Sequence, residues 1–152
     1  MTHPAPLALT SAANRTSLPH GFATRLIGAV ALFVVGGVHL EQYSVAHFSV
    51  IPTIGPLFMA NFIAATAAGL LLLLAAAPAL SRAGRVLELV AAAGGIGVAA
   101  GALAALLISE HTPLFGFMEV GYRREIVISI AAEVVAIAAL GLFLAGLRRG
   151  RS

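Results

Sequence analysis

Residues 56–80 read PLFMANFIAATAAGLLLLLAAAPAL and contain no charged side chain. A helix rises about 1.5 Å per residue, so about 20 apolar residues cross a hydrocarbon core about 30 Å thick. The stretch is long enough, and it predicts a transmembrane helix. Working outward, three further apolar segments of similar length appear, at residues 22–43, 85–109 and 124–147. In the first, the uninterrupted apolar part is short, Leu26 to Leu40. The third segment carries Glu88 near its start, and the last carries Glu133 inside. Four spans in one short chain predict an all-α, polytopic membrane protein.

Composition agrees. A soluble domain carries about 25% charged residues, because water must solvate its surface. This chain is 10% charged and 60% hydrophobic, with a mean hydropathy of +1.01. That leaves too little charge to coat a globule, so the lipid bilayer is the solvent for much of its surface. The net charge of +3 and pI near 10.6 do not point to nucleic acid. There is no Lys, and the nine Arg sit mostly at the ends of apolar runs, not along one face. Cys is absent, which excludes disulfides, thiol catalysis and thiolate metal sites.

Arginine placement sets the expected orientation. Arg15 and Arg25 precede or open the first span, Arg82 and Arg85 lie between the second and third, and Arg148, Arg149 and Arg151 follow the fourth. Only Arg123 and Arg124 fall on the opposite side, seven against two. Both termini are therefore expected in the cytoplasm, with the chain in the plasma (inner) membrane. Residues 1–21, with Pro4, Pro6 and Pro19, read as a disordered or surface-lying tail, and 148–152 as a basic tail. A secretory signal ending near Ser44-Val45-Ala46 is the rival reading of the N-terminus. Against it, polar His39, Glu41 and Gln42 intervene before the cleavage position.

Short connections make consecutive helices antiparallel neighbours, so an up-down four-helix bundle is expected. Small residues four apart suggest its contact faces: Ala93, Gly97, Gly101 and Ala105; Ala60, Ala64 and Ala68; Gly141 and Ala145. The two connections on the outer side are unusually apolar. Residues 44–58 and 110–125 mix Pro and Gly with Phe, Ile and Tyr, as suits chain folded over the mouth of the bundle. Burial of Phe48, Ile51, Ile54, Leu57, Phe58, Leu114, Phe115 and Phe117 would order both connections into a cap. Polar groups gather on this side as well: His39, Glu41, Gln42, Tyr43, His47, Asn61, Glu110, His111, Glu119, Tyr122 and Arg123, whereas the cytoplasmic side offers mainly Arg.

The segments His39-Leu40, Ile51-Pro52-Thr53-Ile54-Gly55-Pro56-Leu57-Phe58 and Leu114-Phe115-Gly116-Phe117-Met118-Glu119 resemble a group of small four-helix integral membrane proteins of actinobacteria. The similarity covers about residues 22–147. It implies topology and membrane location, and it carries over no catalytic residue. The chain departs from the group's pattern at Glu41-Gln42-Tyr43, where more aromatic residues are expected.

Among single residues Glu133 is the most informative. It lies about 13 Å along its helix from Arg124, where an ionisable group costs ~2.5–3.5 kcal/mol on insertion scales. It should therefore face the bundle interior, as a proton or cation site or as a neutral acid bonded to a neighbouring helix. His39 and Asn61 lie at compatible depths and complete an intramembrane polar cluster. Glu41, His47, Glu110, His111, Glu119 and Arg123 form a candidate rim on the outer face. The histidines and glutamates supply enough donors for Zn²⁺ or Cu²⁺, yet adjacent Glu110-His111 and the loose His39–His47 spacing do not set a ligand geometry. No metal or other cofactor is expected. Glu88 reads as an i,i+3 partner of Arg85.

Three functions fit these residues. The first is a non-enzymatic membrane subunit or scaffold that binds partner helices, a second copy of itself or lipid. The second is a small oligomeric proton-coupled transporter using Glu133. The third is a quinone- or redox-associated protein using His39 and the outer connections.

Overall fold

The computed structural model describes residues 20–75 and 81–149. Four helices make up nearly all of it: α1 (His20–Ser44), α2 (Ile54–Leu74), α3 (Ser81–Ser109) and α4 (Arg124–Arg149). Each is long and apolar enough to cross a membrane. Among the described residues there is no strand, only an isolated bridge between Leu114 and Phe117. The chain is thus an all-α, four-helix membrane protein. In lipid a backbone N–H or C=O has no water to bond, so the apolar segments close their own hydrogen bonds as helices.

The helices overrun the expected boundaries at three places. α1 includes His20 and Gly21, α3 begins at Ser81, and α4 runs on through Arg148 and Arg149. Helical hydrogen bonding does not stop where the apolar run stops. Long Arg side chains let a helix continue into the interface. α2 ends earlier than expected, at Leu74, and residues 76–80 lie outside the described residues. The same holds for residues 1–19 of the expected N-terminal tail and for 150–152.

In the bundle α1 packs most closely on α2 and α4, and α3 packs on the same two helices. α1 and α3 touch across the diagonal, whereas α2 and α4 do not meet. The core is built largely from alanine, with Leu32, Leu72 and Leu140 fully enclosed. Small side chains let helix backbones approach closely and gain dispersion energy, the main source of helix association in lipid. Gly95 shows the principle at mid-bundle. A Cβ there would lie 2.7 Å from a methyl of Leu32 and 3.1 Å from one of Leu140, so the glycine lets α3 close on α1 and α4 together.

The packing face of α3 differs from the expected stripe. Ala93, Gly97 and Gly101 are exposed, with open space around both glycines; only Ala105 is half-buried. Ala91, Ala92, Gly95 and Ala99 make the contact instead. On α2, Ala68 joins the core but Ala60 is exposed; on α4, Ala145 is exposed and Gly141 has open space around it. When Ala and Gly fill most positions, several faces share the same spacing. The large side chains opposite, here Leu32 and Leu140, choose among them.

A second correction concerns Glu88. Its partner is Arg25 of α1, with nitrogen and oxygen 2.5 Å apart and both side chains mostly buried, while Arg85 is exposed. The pair joins the diagonal helices at the end of the bundle away from the two long connections.

Two outcomes are expected in thermal unfolding in detergent. Glu88→Gln leaves the Arg25 guanidinium mostly buried without its counter-charge and destabilises by about 2–4 kcal/mol. The exchanged pair, Arg25→Glu with Glu88→Arg, recovers much of that loss, and Arg85→Ala stays within about 0.5 kcal/mol. Gly95→Leu overpacks the core and costs about 1–3 kcal/mol or more. Gly97→Leu, which points outward, is neutral or gains from about 1 kcal/mol of helix propensity.

Candidate functional site

Both long connections lie at one end of the bundle and fold into a cap. In the first, a 3₁₀ turn (Phe48–Val50) leads into Thr53, whose φ of 69° and ψ of −49° belong to a rare, strained γ-turn. Ile54 N–H closes it on Pro52 O at 2.8 Å. Two residues on, an added Cβ at Gly55 would stand 2.8 Å from Phe48 O, so only glycine lets α2 start against the 3₁₀ turn. The Ile-Pro-Thr-Ile-Gly-Pro run is therefore a tight corner.

The second connection turns at Leu114-Phe115-Gly116-Phe117. Its central residues have φ of 53° and 79°, and Leu114 and Phe117 exchange backbone hydrogen bonds at 2.8 and 3.0 Å. Positive φ at both central positions is the mark of a type I′ turn, which favours Gly. Glu119 N–H then donates to Ser109 O at 3.1 Å and ties the connection to the end of α3.

Aromatic rings join the two halves. Phe48 packs on Phe58 at 5.2 Å between centroids and edge-on to Phe117 at 5.4 Å, and His39 packs on Phe58 at 5.2 Å. The Arg123 guanidinium lies 5.7 Å from the Phe48 ring centre and pairs with Glu119 at 3.2 Å. Of the eight apolar side chains expected to be buried, Ile54 alone is; Phe48, Ile51, Phe58, Leu114 and Phe117 are half-buried, and Leu57 and Phe115 remain exposed.

Under the cap lies a cavity of about 230 Å³. Its wall is mainly apolar, and all four helices contribute to it. α1 supplies His39 and Gln42, three residues apart and so on one face. α2 supplies Phe58 and Asn61, and α3 the small residues Gly101, Ala102 and Ala105. From α4 come Glu125, Ser129 and Glu133, at fourfold spacing along a single face.

Glu133 is 2% exposed. Its Oε1 accepts a hydrogen bond from Ser129 Oγ at 3.0 Å, and its Oε2 has no protein partner. The partner belongs to the same helix, not to a neighbouring one as a purely structural acid would require. Asn61 Oδ1 is likewise buried without a partner. Turning that amide over would merely exchange the unpaired oxygen for a nitrogen. His39 Nδ1 donates to Val35 O at 2.8 Å, which leaves Nε2 as the ring atom able to meet a ligand. Buried polar atoms are nearly always bonded, so two oxygens without protein partners at one mainly apolar cavity are unusual.

The structure thus brings His39, Asn61 and Glu133 to the same cavity. Of the proposed rim, Glu119 alone joins them. His47 is exposed at a left-handed backbone position, and His111 is exposed with its Nδ1 donating to Leu107 O at 2.9 Å. Glu110 accepts from Tyr122 at 3.1 Å, a bond that holds the tyrosine hydroxyl above its ordinary pKa. Glu41 is half-buried outside the lining, and Arg123 sits on the cap. Adjacent residues on a turn point in different directions, so this set does not converge. Among the described residues no group of three or more His, Asp or Glu side chains is arranged to hold a metal ion. Glu125 and Ser129 line the cavity without having been singled out, and Gln42, Phe58 and Phe117, named in the sequence for other reasons, line it too. For Gln42 and Ser129 the signal was present, at i+3 from His39 and i−4 from Glu133.

Because Glu133 makes no bond to another helix, it is not expected to hold the bundle together. Glu133→Met should leave the unfolding midpoint in detergent unchanged or raise it, since it removes a buried carboxyl worth ~2.5–3.5 kcal/mol on insertion scales. Glu133→Lys should lower it. A clear loss of stability in Glu133→Met would restore a structural role for the acid.

No family model, curated protein or solved structure matches the chain, so the reading of the site rests on its own geometry.

Proposed function

We propose that this chain is a multi-pass plasma-membrane protein, with both termini cytoplasmic, that binds a small amphipathic molecule between its helices beneath an outward-facing cap. The orientation rests on the bias of arginine toward the other end of the bundle. One observation carries the binding role: two buried oxygens, on Asn61 and Glu133, stand without protein partners at a mainly apolar cavity. Small-molecule sites are typically apolar hollows with a few convergent polar groups. Binding, not catalysis, fits best. Among the described residues the hydroxyl–carboxylate hydrogen bond in the lining joins Ser129 to Glu133 within one helix and positions no nucleophile. Leu57 and Gly101 are exposed and also line the cavity. The ligand therefore enters sideways from the bilayer, between α2 and α3.

The test is native mass spectrometry after mild extraction, compared with Ala105→Phe, which fills the cavity from α3. A small molecule should accompany the wild-type protein and be missing from the variant. Adding it back at about a hundredfold over its Kd should stabilise the wild type by about 2.7 kcal/mol and leave the variant unmoved. Equal loading of both proteins would reject the cavity as the site.

A further inference from the structure

The acids and bases of the chain are divided unevenly around this cavity. Three of its six carboxylates, Glu119, Glu125 and Glu133, line the wall, and none of the described arginines does. Two of the three already have counter-charges: Arg123 lies 3.2 Å from Glu119 and Arg124 lies 3.5 Å from Glu125. Glu133, the deepest and most enclosed, has none. Arg25, a buried arginine elsewhere in the bundle, is held by Glu88 at the other end. His39 shares the cavity but forms no ion pair with Glu133; its Nδ1 is engaged by its own helix. Glu133 Oε2 therefore stands buried, unpartnered and without a protein cation to neutralise it.

We infer that the cavity takes an organic monocation, an alkylammonium ion on a small aromatic or branched apolar body, with its N–H groups shared between Glu133 Oε2 and Asn61 Oδ1. The inference rests on the binding role proposed above and names the ligand class. Each part of the wall fits one part of such a molecule. Two unpaired acceptors suit N–H donors, and a charge-assisted bond to a carboxylate is about twice as strong as a neutral one. Phe58 and Phe117 line the same cavity, and aromatic ring faces attract cations, more strongly once water is excluded. The remaining surface, from Val38, Ile54, Leu106 and Leu114, suits an apolar body. Size agrees too. A cavity of about 150 Å³ accommodates benzene, so about 230 Å³ takes a phenyl ring with a short arm. An anion would meet three carboxylates, whereas a bound cation supplies the counter-charge that an ionised Glu133 needs in an apolar wall.

Three probes with nearly the same body and different charge test this: phenethylammonium, 2-phenylethanol and phenylacetate. Each is titrated calorimetrically into protein in nanodiscs of zwitterionic lipid, with empty nanodiscs correcting for partition. The cation should bind the wild type about tenfold or more tighter than the alcohol, the gap between a charge-assisted and a neutral hydrogen bond, and phenylacetate should not bind. Glu133→Gln should weaken the cation about tenfold or more and so remove its advantage over the alcohol. Should that variant fail to fold, discrimination among the three probes on the wild type decides by itself. If the alcohol binds as well as the cation, the charge inference is overturned while the binding cavity stands. If no probe binds and native mass spectrometry finds Ala105→Phe loaded like the wild type, the cavity reading falls and the inference falls with it.

Discussion

In a hydrocarbon core, an unpaired backbone N–H or C=O has no water to turn to. From that constraint the helices follow, and so does the cap. Where the described chain leaves helical geometry at the capped end, backbone hydrogen bonds close within a turn or return to the end of a helix. Ile54 N–H returns to Pro52 O, Leu114 and Phe117 bond each other, and Glu119 N–H reaches Ser109 O. The positive φ angles of Thr53 and Phe115 are local costs of those closures, of order 1–3 kcal/mol each. They are tolerated because the Phe48, Phe58 and Phe117 rings pack the two connections against each other.

The cavity arises from the difference between the two ends of the bundle. At one end Arg25 and Glu88 draw the diagonal helices together. At mid-height Gly95 admits Leu32 and Leu140, so the centre closes. Toward the cap the facing residues on α3 become Gly101, Ala102 and Ala105, too small to reach across, while α2 and α4 stay apart. Interiors normally pack to the density of organic crystals. Here the helices are held at fixed spacing by contacts above and below, and a hollow remains between them.

Much of this architecture can be read from the sequence, because span length depends only on local hydrophobicity. Glu133 was equally legible, since a charge inside an apolar run has few explanations. Helix rotation was not. Ala93-Gly97-Gly101 and Ala92-Gly95-Ala99 are nearly equivalent as text, and only the positions of Leu32 and Leu140 in space distinguish them. Partners distant in sequence were also hidden: Arg85 is the nearest candidate for Glu88, yet the bond spans sixty-three residues to Arg25. The candidate rim residues are dispersed for a related reason, with Glu119 alone of the set lining the cavity. Clustering in sequence on a turn does not imply convergence, whereas polar residues three or four apart on helices, such as His39 with Gln42 and Ser129 with Glu133, do share a face.

The energetic balance at the cavity bears on what it is for. A protein that needed Glu133 only for packing would be better served by leucine, which has no carboxyl to desolvate and no oxygen to leave unpaired. Filling the space would be as simple, since a larger side chain at Ala105 or Gly101 would add buried contacts at little backbone cost. The chain instead keeps the acid, the amide of Asn61 and the space beside them, under a cap that itself contains strained turns. Each feature alone lowers stability. Together they are what the proposed ligand would account for, since its binding would supply the missing hydrogen bonds and fill the void. The stability of the empty bundle then comes from elsewhere, from the alanine-rich core and the Arg25–Glu88 pair at the far end.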